Sequence, residues 1–159
     1  MRTVYKVLAW LIAVEVVIQA SMIAFAVAGL GIWIDRDGGT LDKATFEAIF
    51  EGEVTYTGVA GMMVHGINGM MVIPALALIF LIVSFFAKVP GGVKWAALVL
   101  LAVVVQVSLG LFGHENAYSG MLHGANALVL FTLAFMAGKR VSSVSATPTS
   151  AASPEHERV

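Results

Sequence analysis

The sequence predicts an all-α integral membrane protein, an antiparallel four-helix bundle built from two repeated helical hairpins. Three observations lead to this prediction. Hydrophobic residues make up 59% of the 159-residue chain and charged residues only 12%, whereas soluble proteins contain about 25% charged residues. Four apolar stretches are long enough to cross a bilayer, which takes about 20 residues. Short turns follow the second and third stretches, and short turns make consecutive helices antiparallel neighbours.

The predicted spans follow one another with little chain between them. They lie at about 7–34, 59–87, 93–112 and 118–138. Tight turns are expected at 88–92 and 113–116. The first span follows Arg2 and Lys6, as a signal peptide would, but it is too long for one and is interpreted as a retained membrane helix.

The segments outside the spans differ in character. The acidic loop 35–56 has apolar residues at helical spacing, which predict a short amphipathic helix at about 41–51 capped by Thr40. This helix is expected over the outer end of the bundle, either as an interfacial anchor or as a lid. The tail 141–159 is rich in Ser, Ala, Thr and Pro and is expected to be disordered. The folded transmembrane domain is therefore expected to be 1–140.

Charge sets the expected orientation and excludes several classes of protein. Seven of the nine Lys and Arg residues fall on the side of the termini, and only Arg36 and Lys43 fall on the other. The positive-inside rule then places both termini in the cytoplasm of a multi-pass protein of the bacterial inner (plasma) membrane. A net charge of −1 provides no basic patch for nucleic acid. The absence of cysteine excludes disulfides, iron–sulfur clusters and covalent c-type haem.

A short motif occurs twice. Residues 65–70 read HGINGM and residues 123–128 read HGANAL. Each is preceded, one span earlier, by a Gln-x-Ser sequence, which begins at Gln19 in the first copy and at Gln106 in the second. The repeated unit is therefore a two-helix hairpin.

The two histidines are predicted to lie at the same depth. His65 and His123 are six and five residues past the starts of the second and fourth spans, about 7–9 Å from the outer end. Two imidazoles at one level on parallel helices are most simply explained as ligands of one metal centre, with the iron of a haem as the first candidate. Zinc usually takes four protein ligands and fits less well, whereas haem needs only two axial ligands. A hydrogen-bonded structural histidine is the alternative.

Small and amide side chains surround both histidines. The small residues leave room for a flat group, or else allow close helix packing or lipid-facing homo-oligomer contacts. The amides could accept the second ring N–H of each ligand or could link helices. Candidate cofactor-binding residues around the histidines are Gly61, Gly66, Gly69, Asn68, Gln19, Ser119, Gly120, Gly124, Asn126 and Gln106.

Six other residues have open roles. His114, in the outer turn, could cover the haem edge, contact a propionate, bind quinol or simply be solvated. Glu15, an acid within a span, could carry protons or bond Gln19. Arg36 and Lys43 are the outer cations that could pair with propionates. Ser21 and Ser108 could each bond a carbonyl one turn back on their own helix.

Histidines on the second and fourth helices of a four-helix membrane unit resemble one half of haem A synthase, over about residues 4–138. Each half of that family has a histidine pair at these positions, so the resemblance implies haem ligation by His65 and His123. The chain departs from the family because it has one four-helix unit instead of two and no matching catalytic acids in its outer loop. The synthase activity is therefore not implied. The pattern is also similar to small actinobacterial four-helix membrane proteins of b-type cytochrome character. Cytochromes of the b-561 type are a further comparison, but two membrane histidines do not support their two stacked haems.

The expected function is that of a membrane b-type cytochrome with one bis-histidine haem b near the outer face. It would transfer electrons to or from a quinol or a respiratory or assembly partner, as an electron-transfer protein or subunit more than a stand-alone enzyme. One alternative is a non-redox helper subunit of a membrane complex. Another is a small transporter, which the apolar inner halves of the second and fourth spans disfavour.

Overall fold

The computed structural model describes residues 1–113 and 115–144, and this part of the chain is helical without strands. The helices are α1 (Arg2–Asp37), α2 (Lys43–Glu51), α3 (Val59–Ile67), α4 (Ile73–Phe86), α5 (Gly92–Phe112) and α6 (Ala117–Val144). A π-helical segment, Asn68–Val72, joins α3 to α4. Together these three pieces form one continuous element, Val59–Phe86, called the second span below.

Four helical elements in the described chain are long and apolar enough to cross a membrane. They are α1, the second span, α5 and the first part of α6, Ala117–Val141, with mean hydropathies from 1.5 to 2.6. Large apolar side chains on them point outward, among them Leu101 and Leu128, which are 59% and 71% exposed. A surface of this kind is stable against lipid and costly in water. The prediction of an all-α chain is confirmed for the described residues, and so is the prediction of helices long and apolar enough to span a membrane.

The spans pack so that each has two main neighbours. α1 contacts the second span and α6, and α5 contacts the second span and α6. The core between them contains Tyr5, Ile12, Phe80, Val99 and Leu130, and several buried alanines that allow close approach of the helices. The Tyr5 and Phe80 rings lie 4.6 Å apart, and the Tyr5 hydroxyl donates to the carbonyl of Gly92 at 3.1 Å.

One end of the molecule brings basic residues together. The Arg2 guanidinium donates to the carbonyl of Lys88 at 3.3 Å. Near the end of α6, the Arg140 guanidinium lies over the Trp95 ring at 4.8 Å from its centre. The start of α1, the turn after α4 and the end of α6 therefore meet at the same end.

The opposite end is built on an extension of α1. The second span begins beside Phe25, where the carbonyl oxygen of Phe25 lies against Gly58. α1 continues from there to Asp37, about 18 Å farther. The Trp33 ring on this extension stacks on Tyr56 at 6.1 Å, and burial raises the pKa of the Tyr56 hydroxyl.

Helix α2 confirms the predicted amphipathic helix but corrects its cap. The helix is Lys43–Glu51, and its N-cap is Asp42, not Thr40. The Asp42 carboxylate accepts the backbone N–H of Thr45 at 2.8 Å, which lowers the pKa of that carboxyl below its ordinary value. On this helix Ile49 is buried, whereas Phe46 and Phe50 are exposed.

Two further features differ from the sequence-based expectation. α6 runs through Val144, four residues into the segment expected to be a disordered tail, and the rest of that tail lies outside the described residues. The π-helical segment was not expected. In it the Ile73 N–H donates to the Asn68 carbonyl, five residues back. Pro74 follows directly, and because proline has no N–H and crowds the carbonyl four residues earlier, a widened turn relieves the clash.

Candidate functional site

The two histidines of the repeat face each other across the bundle. His65 lies on the second span and His123 on α6, and both are half-buried. Their ring centres are 6.1 Å apart, with the ring planes at 62°. Two residues separated by 58 positions in the chain therefore share one location.

Each imidazole is held by a backbone carbonyl of the span that precedes it in the same repeat. His65 Nδ1 lies 3.1 Å from the carbonyl oxygen of Gln19, and His123 Nδ1 lies 2.9 Å from that of Gln106. A carbonyl only accepts hydrogen bonds, so each Nδ1 must donate. The proton of a neutral ring then resides on Nδ1, and Nε2 retains its lone pair. Both copies of the repeated motif therefore form the same hydrogen bond, which leaves each Nε2 free to accept a proton or bind a metal.

The spacing of the rings suits a shared metal ion. One ion bound by two opposed imidazole nitrogens, at about 2.0 Å each, holds the ring centres about 6 Å apart, close to the 6.1 Å observed. Within the described residues, no three His, Cys, Asp or Glu side chains converge to form a metal site. The pair can therefore supply two ligands, and a centre bound there would need further ligands of its own.

A cavity of about 640 Å³ adjoins the histidines. This volume falls within the range of about 300–1,000 Å³ that is typical of small-molecule and cofactor sites. All four spans contribute to its largely apolar wall, which includes Val16, Ala20, Ile73, Val103, Ala127 and Phe131. The lining residues that are also exposed, such as Ala24 and Gly124, belong to α1 and α6. The cavity therefore opens sideways between these two helices.

Gln19 lines the cavity, and its side-chain amide is buried without a hydrogen-bond partner in the described chain. Its side chain is 8% exposed, and within the described residues neither Oε1 nor Nε2 has a hydrogen-bond partner. Gly69 faces this amide, and a Cβ at that position would lie 3.1 Å from Gln19 Nε2. Gly69 thus leaves the space that the Gln19 side chain occupies.

In the second repeat the oxygen of the corresponding amide, Gln106 Oε1, has a hydrogen-bond partner. The Asn126 Nδ2 donates to Gln106 Oε1 at 2.7 Å and to the Ala102 carbonyl at 2.9 Å. In the first hairpin Asn68 Nδ2 instead donates to Glu15 Oε2 at 2.7 Å. Glu15 occupies the position that corresponds to Ala102, four residues before the glutamine. Asn68 therefore bonds Glu15 and not Gln19, and the expected bond between Glu15 and Gln19 is absent.

The small residues predicted around the histidines separate into three groups. Gly69 and Gly124 line the cavity. Gly61 and Ser119 have local structural roles. Gly61 lies against the Met22 backbone, where it allows close helix packing. The Ser119 N–H donates to Asn116 Oδ1 at 2.9 Å at the start of α6. Gly66 and Gly120 are exposed, and added Cβ atoms would meet open space.

One further glycine lies at the site without having been predicted. A Cβ at Gly110 of α5 would lie 3.1 Å from Cε1 and 3.2 Å from Nδ1 of His123. Gly110 therefore makes room for the imidazole. The available signal was its position four residues after Gln106, which places both residues on one face of α5.

The remaining predicted residues lie apart from the site or outside the described chain. Arg36 is about 25 Å farther along α1 than Gln19, and Lys43 follows it at the start of α2. His114 lies outside the described residues. The serine predictions are confirmed, since Ser21 and Ser108 donate to the carbonyls of Val17 and Val104 at 2.9 Å.

Comparison with known proteins gives no match: no family model, no curated protein and no solved structure matches the chain.

Proposed function

We propose that the chain is a membrane b-type cytochrome in which His65 and His123 are the axial ligands of one haem b. The observation that best supports this is the paired geometry of the imidazoles, each with Nδ1 donating to a glutamine carbonyl and with ring centres 6.1 Å apart. A haem brings four nitrogen ligands of its own, so two protein ligands complete its iron.

The chain's residues around the pair have separate roles in this proposal. The carbonyls of Gln19 and Gln106 fix the imidazole orientation and increase the basicity of the ligating nitrogens. Gly110 admits the His123 ring. The apolar cavity wall excludes water and accommodates a flat macrocycle.

Electron transfer is the activity that such a site favours. When bound, the haem supplies a one-electron iron couple, and occupation of both axial positions favours electron transfer over ligand activation. The partner in this proposal is a membrane quinol or a respiratory or assembly complex, and the chain acts as an electron-transfer protein or subunit. Its lateral cavity opening between α1 and α6 is compatible with a partner that reaches the site from the bilayer.

The proposed topology follows from the distribution of charge. Antiparallel spans in two repeated hairpins would place the end with Arg2, Lys88 and Arg140 in the cytoplasm of the bacterial inner membrane. His65 then lies about 9 Å below the outer end of its span. Cysteine-scanning labels at residue 2 and at residue 47, tested with an impermeant reagent on intact cells, would distinguish this orientation from the reverse.

A reduced-minus-oxidised absorption spectrum of the purified chain tests the haem. Expressed with haem supplementation, the wild type should show the sharp bands of a b-type cytochrome, and His65→Ala or His123→Ala should remove them. Val64→Ala, a lipid-facing change one residue from His65, is the matched control and should retain them. Absence of haem bands from the wild-type protein would refute the proposal.

A second candidate is a non-redox helper subunit in which the same polar residues only hold the helices together. The hydrogen bonds from Asn68 to Glu15 and from Asn126 to Gln106 favour it, since they link spans without a cofactor. Under this alternative, the alanine variants of the histidines lower the melting temperature and no preparation shows haem bands.

A further inference from the structure

We propose that Gln19 is a ligand-binding residue whose carboxamide pairs with a neutral carboxyl side arm of the macrocycle bound between His65 and His123. This inference rests on the proposed function. It assigns to the side chain of Gln19 a role distinct from that of its backbone carbonyl, which holds the imidazole of His65.

The first observation is the unsatisfied amide itself. Gln19 is more than nine-tenths buried, it lines the cavity, and within the described residues both of its polar side-chain atoms lack partners. Buried polar groups are nearly always hydrogen-bonded, because leaving them unpaired is costly. Water does not reach either atom in this arrangement, so a partner inside the cavity that Gln19 lines meets the amide once the side chain turns toward the cavity.

The second observation is that the two repeats differ in the hydrogen bonding of this amide. In the second repeat Asn126 donates to Gln106 Oε1, whereas in the first Asn68 donates to Glu15 and neither polar atom of the Gln19 side chain has a partner among the described residues. Gly69 adds to this arrangement, since a side chain there would crowd Gln19 Nε2. Close helix packing would be served equally well by the arrangement around Gln106, so the difference points to a ligand.

The chemistry of the amide identifies its partner. A primary amide offers an N–H donor and a carbonyl acceptor side by side, and a neutral carboxyl group offers the complementary pair. The cavity wall is largely apolar, and Arg36 lies about 25 Å away along α1. A carboxyl group without a cation in such surroundings keeps its proton. The haem b of the proposed function carries two carboxyl side arms, and one of them fits this requirement.

The test compares two iron porphyrins on two variants. Gln19→Met and Gln19→Leu remove the amide but keep the backbone carbonyl that His65 requires. The probes are haem b and an iron porphyrin whose substituents are all alkyl groups, each titrated into purified apoprotein and followed by its absorption. Gln106→Met is the comparison for the melting temperature, because Gln106 Oε1 already accepts a hydrogen bond from Asn126.

The Gln19 substitutions should raise the melting temperature of the ligand-free protein and lower its affinity for haem b. Without ligand, both Gln19 variants should melt at a higher temperature than wild type, because an unpaired buried amide has been removed, whereas Gln106→Met should melt lower. With ligand, the Gln19 variants should bind haem b about tenfold more weakly, as expected for the loss of two neutral hydrogen bonds. Their affinity for the alkyl porphyrin should equal that of the wild type.

Three results would overturn the inference. Equal weakening for both porphyrins would show that Gln19 acts through packing or through His65. Unchanged haem affinity would show that the amide makes no hydrogen bond to the bound macrocycle. Wild-type protein that binds neither porphyrin would overturn the proposed function itself, a failure that is visible before any variant is made.

Discussion

The carboxamide of Asn68 donates to the carboxyl group of Glu15 at 2.7 Å, a contact that joins the second span to α1 within the apolar part of the bundle. Its counterpart in the second hairpin, from Asn126, reaches a glutamine side chain and a backbone carbonyl instead. This exchange is a difference between the two repeats that lies beside the two imidazoles.

Replacing Glu15 by alanine should make the first hairpin resemble the second. Alanine is the residue at the corresponding position, Ala102, so Asn68 should turn to Gln19 and satisfy its amide. We expect Glu15→Ala to weaken haem binding about as much as Gln19→Met does. The double variant should be no weaker than either single variant, since both changes remove the same contact. Additive losses in affinity would contradict this coupling.

Adding a methyl group at Gly110 should disturb His123 specifically. The new Cβ would lie 3.1 Å from the imidazole, which is too close for an undisturbed ring. We expect Gly110→Ala to be less stable than Gly66→Ala by about 1–2 kcal/mol, because overcrowding offsets the gain in helix propensity, and to alter the haem spectrum. Circular dichroism melts and absorption spectra measure the two effects.

Gly66→Ala is the control for that change, because a Cβ there meets open space. It should leave the haem spectrum unchanged and raise stability slightly, since alanine favours helix over glycine by about 1 kcal/mol. Similar spectra from the two alanine variants would show that Gly110 does not position the ring.

Acidification should loosen the start of α2. The backbone N–H of Thr45 holds the pKa of Asp42 below its ordinary value, so the cap is fully effective above the unfolded pKa of about 3.9 and is lost as the pH falls through the lower folded pKa. Hydrogen–deuterium exchange of residues 43–46 should therefore accelerate, after correction for intrinsic rates, at the lowest pH values. Asp42→Ala should exchange faster at neutral pH and lose this pH dependence. If its profile matches that of wild type, Asp42 does not cap the helix.

The spans were predictable because a bilayer leaves few alternatives. Backbone groups in lipid must be satisfied within the helix, so apolar length alone locates each span. The predicted start of the second span, Val59, agrees with the structure. The N-cap of α2 was harder to predict, because both Thr40 and Asp42 can cap a helix and only the backbone geometry selects Asp42.

The site was predictable only where the sequence repeats. The duplicated motif identifies His65 and His123, and the structure brings their rings together. The groups that hold the rings are backbone carbonyls, which every residue possesses, so sequence does not distinguish them. Gly110 was missed because it acts from the facing helix. The π-helical segment before Pro74 depends on how the helix resolves a local clash, which a hydrophobic pattern does not reveal.

Electron paramagnetic resonance of the oxidised, purified protein tests bis-histidine ligation most directly. The wild type should contain one haem per chain and give the low-spin signal of a six-coordinate ferric centre. His65→Ala and His123→Ala should each lose haem or convert the signal to high spin, because each removes one of two axial ligands. A low-spin wild-type signal that persists in either variant, or a wild-type protein that contains no haem, would contradict shared ligation by this pair.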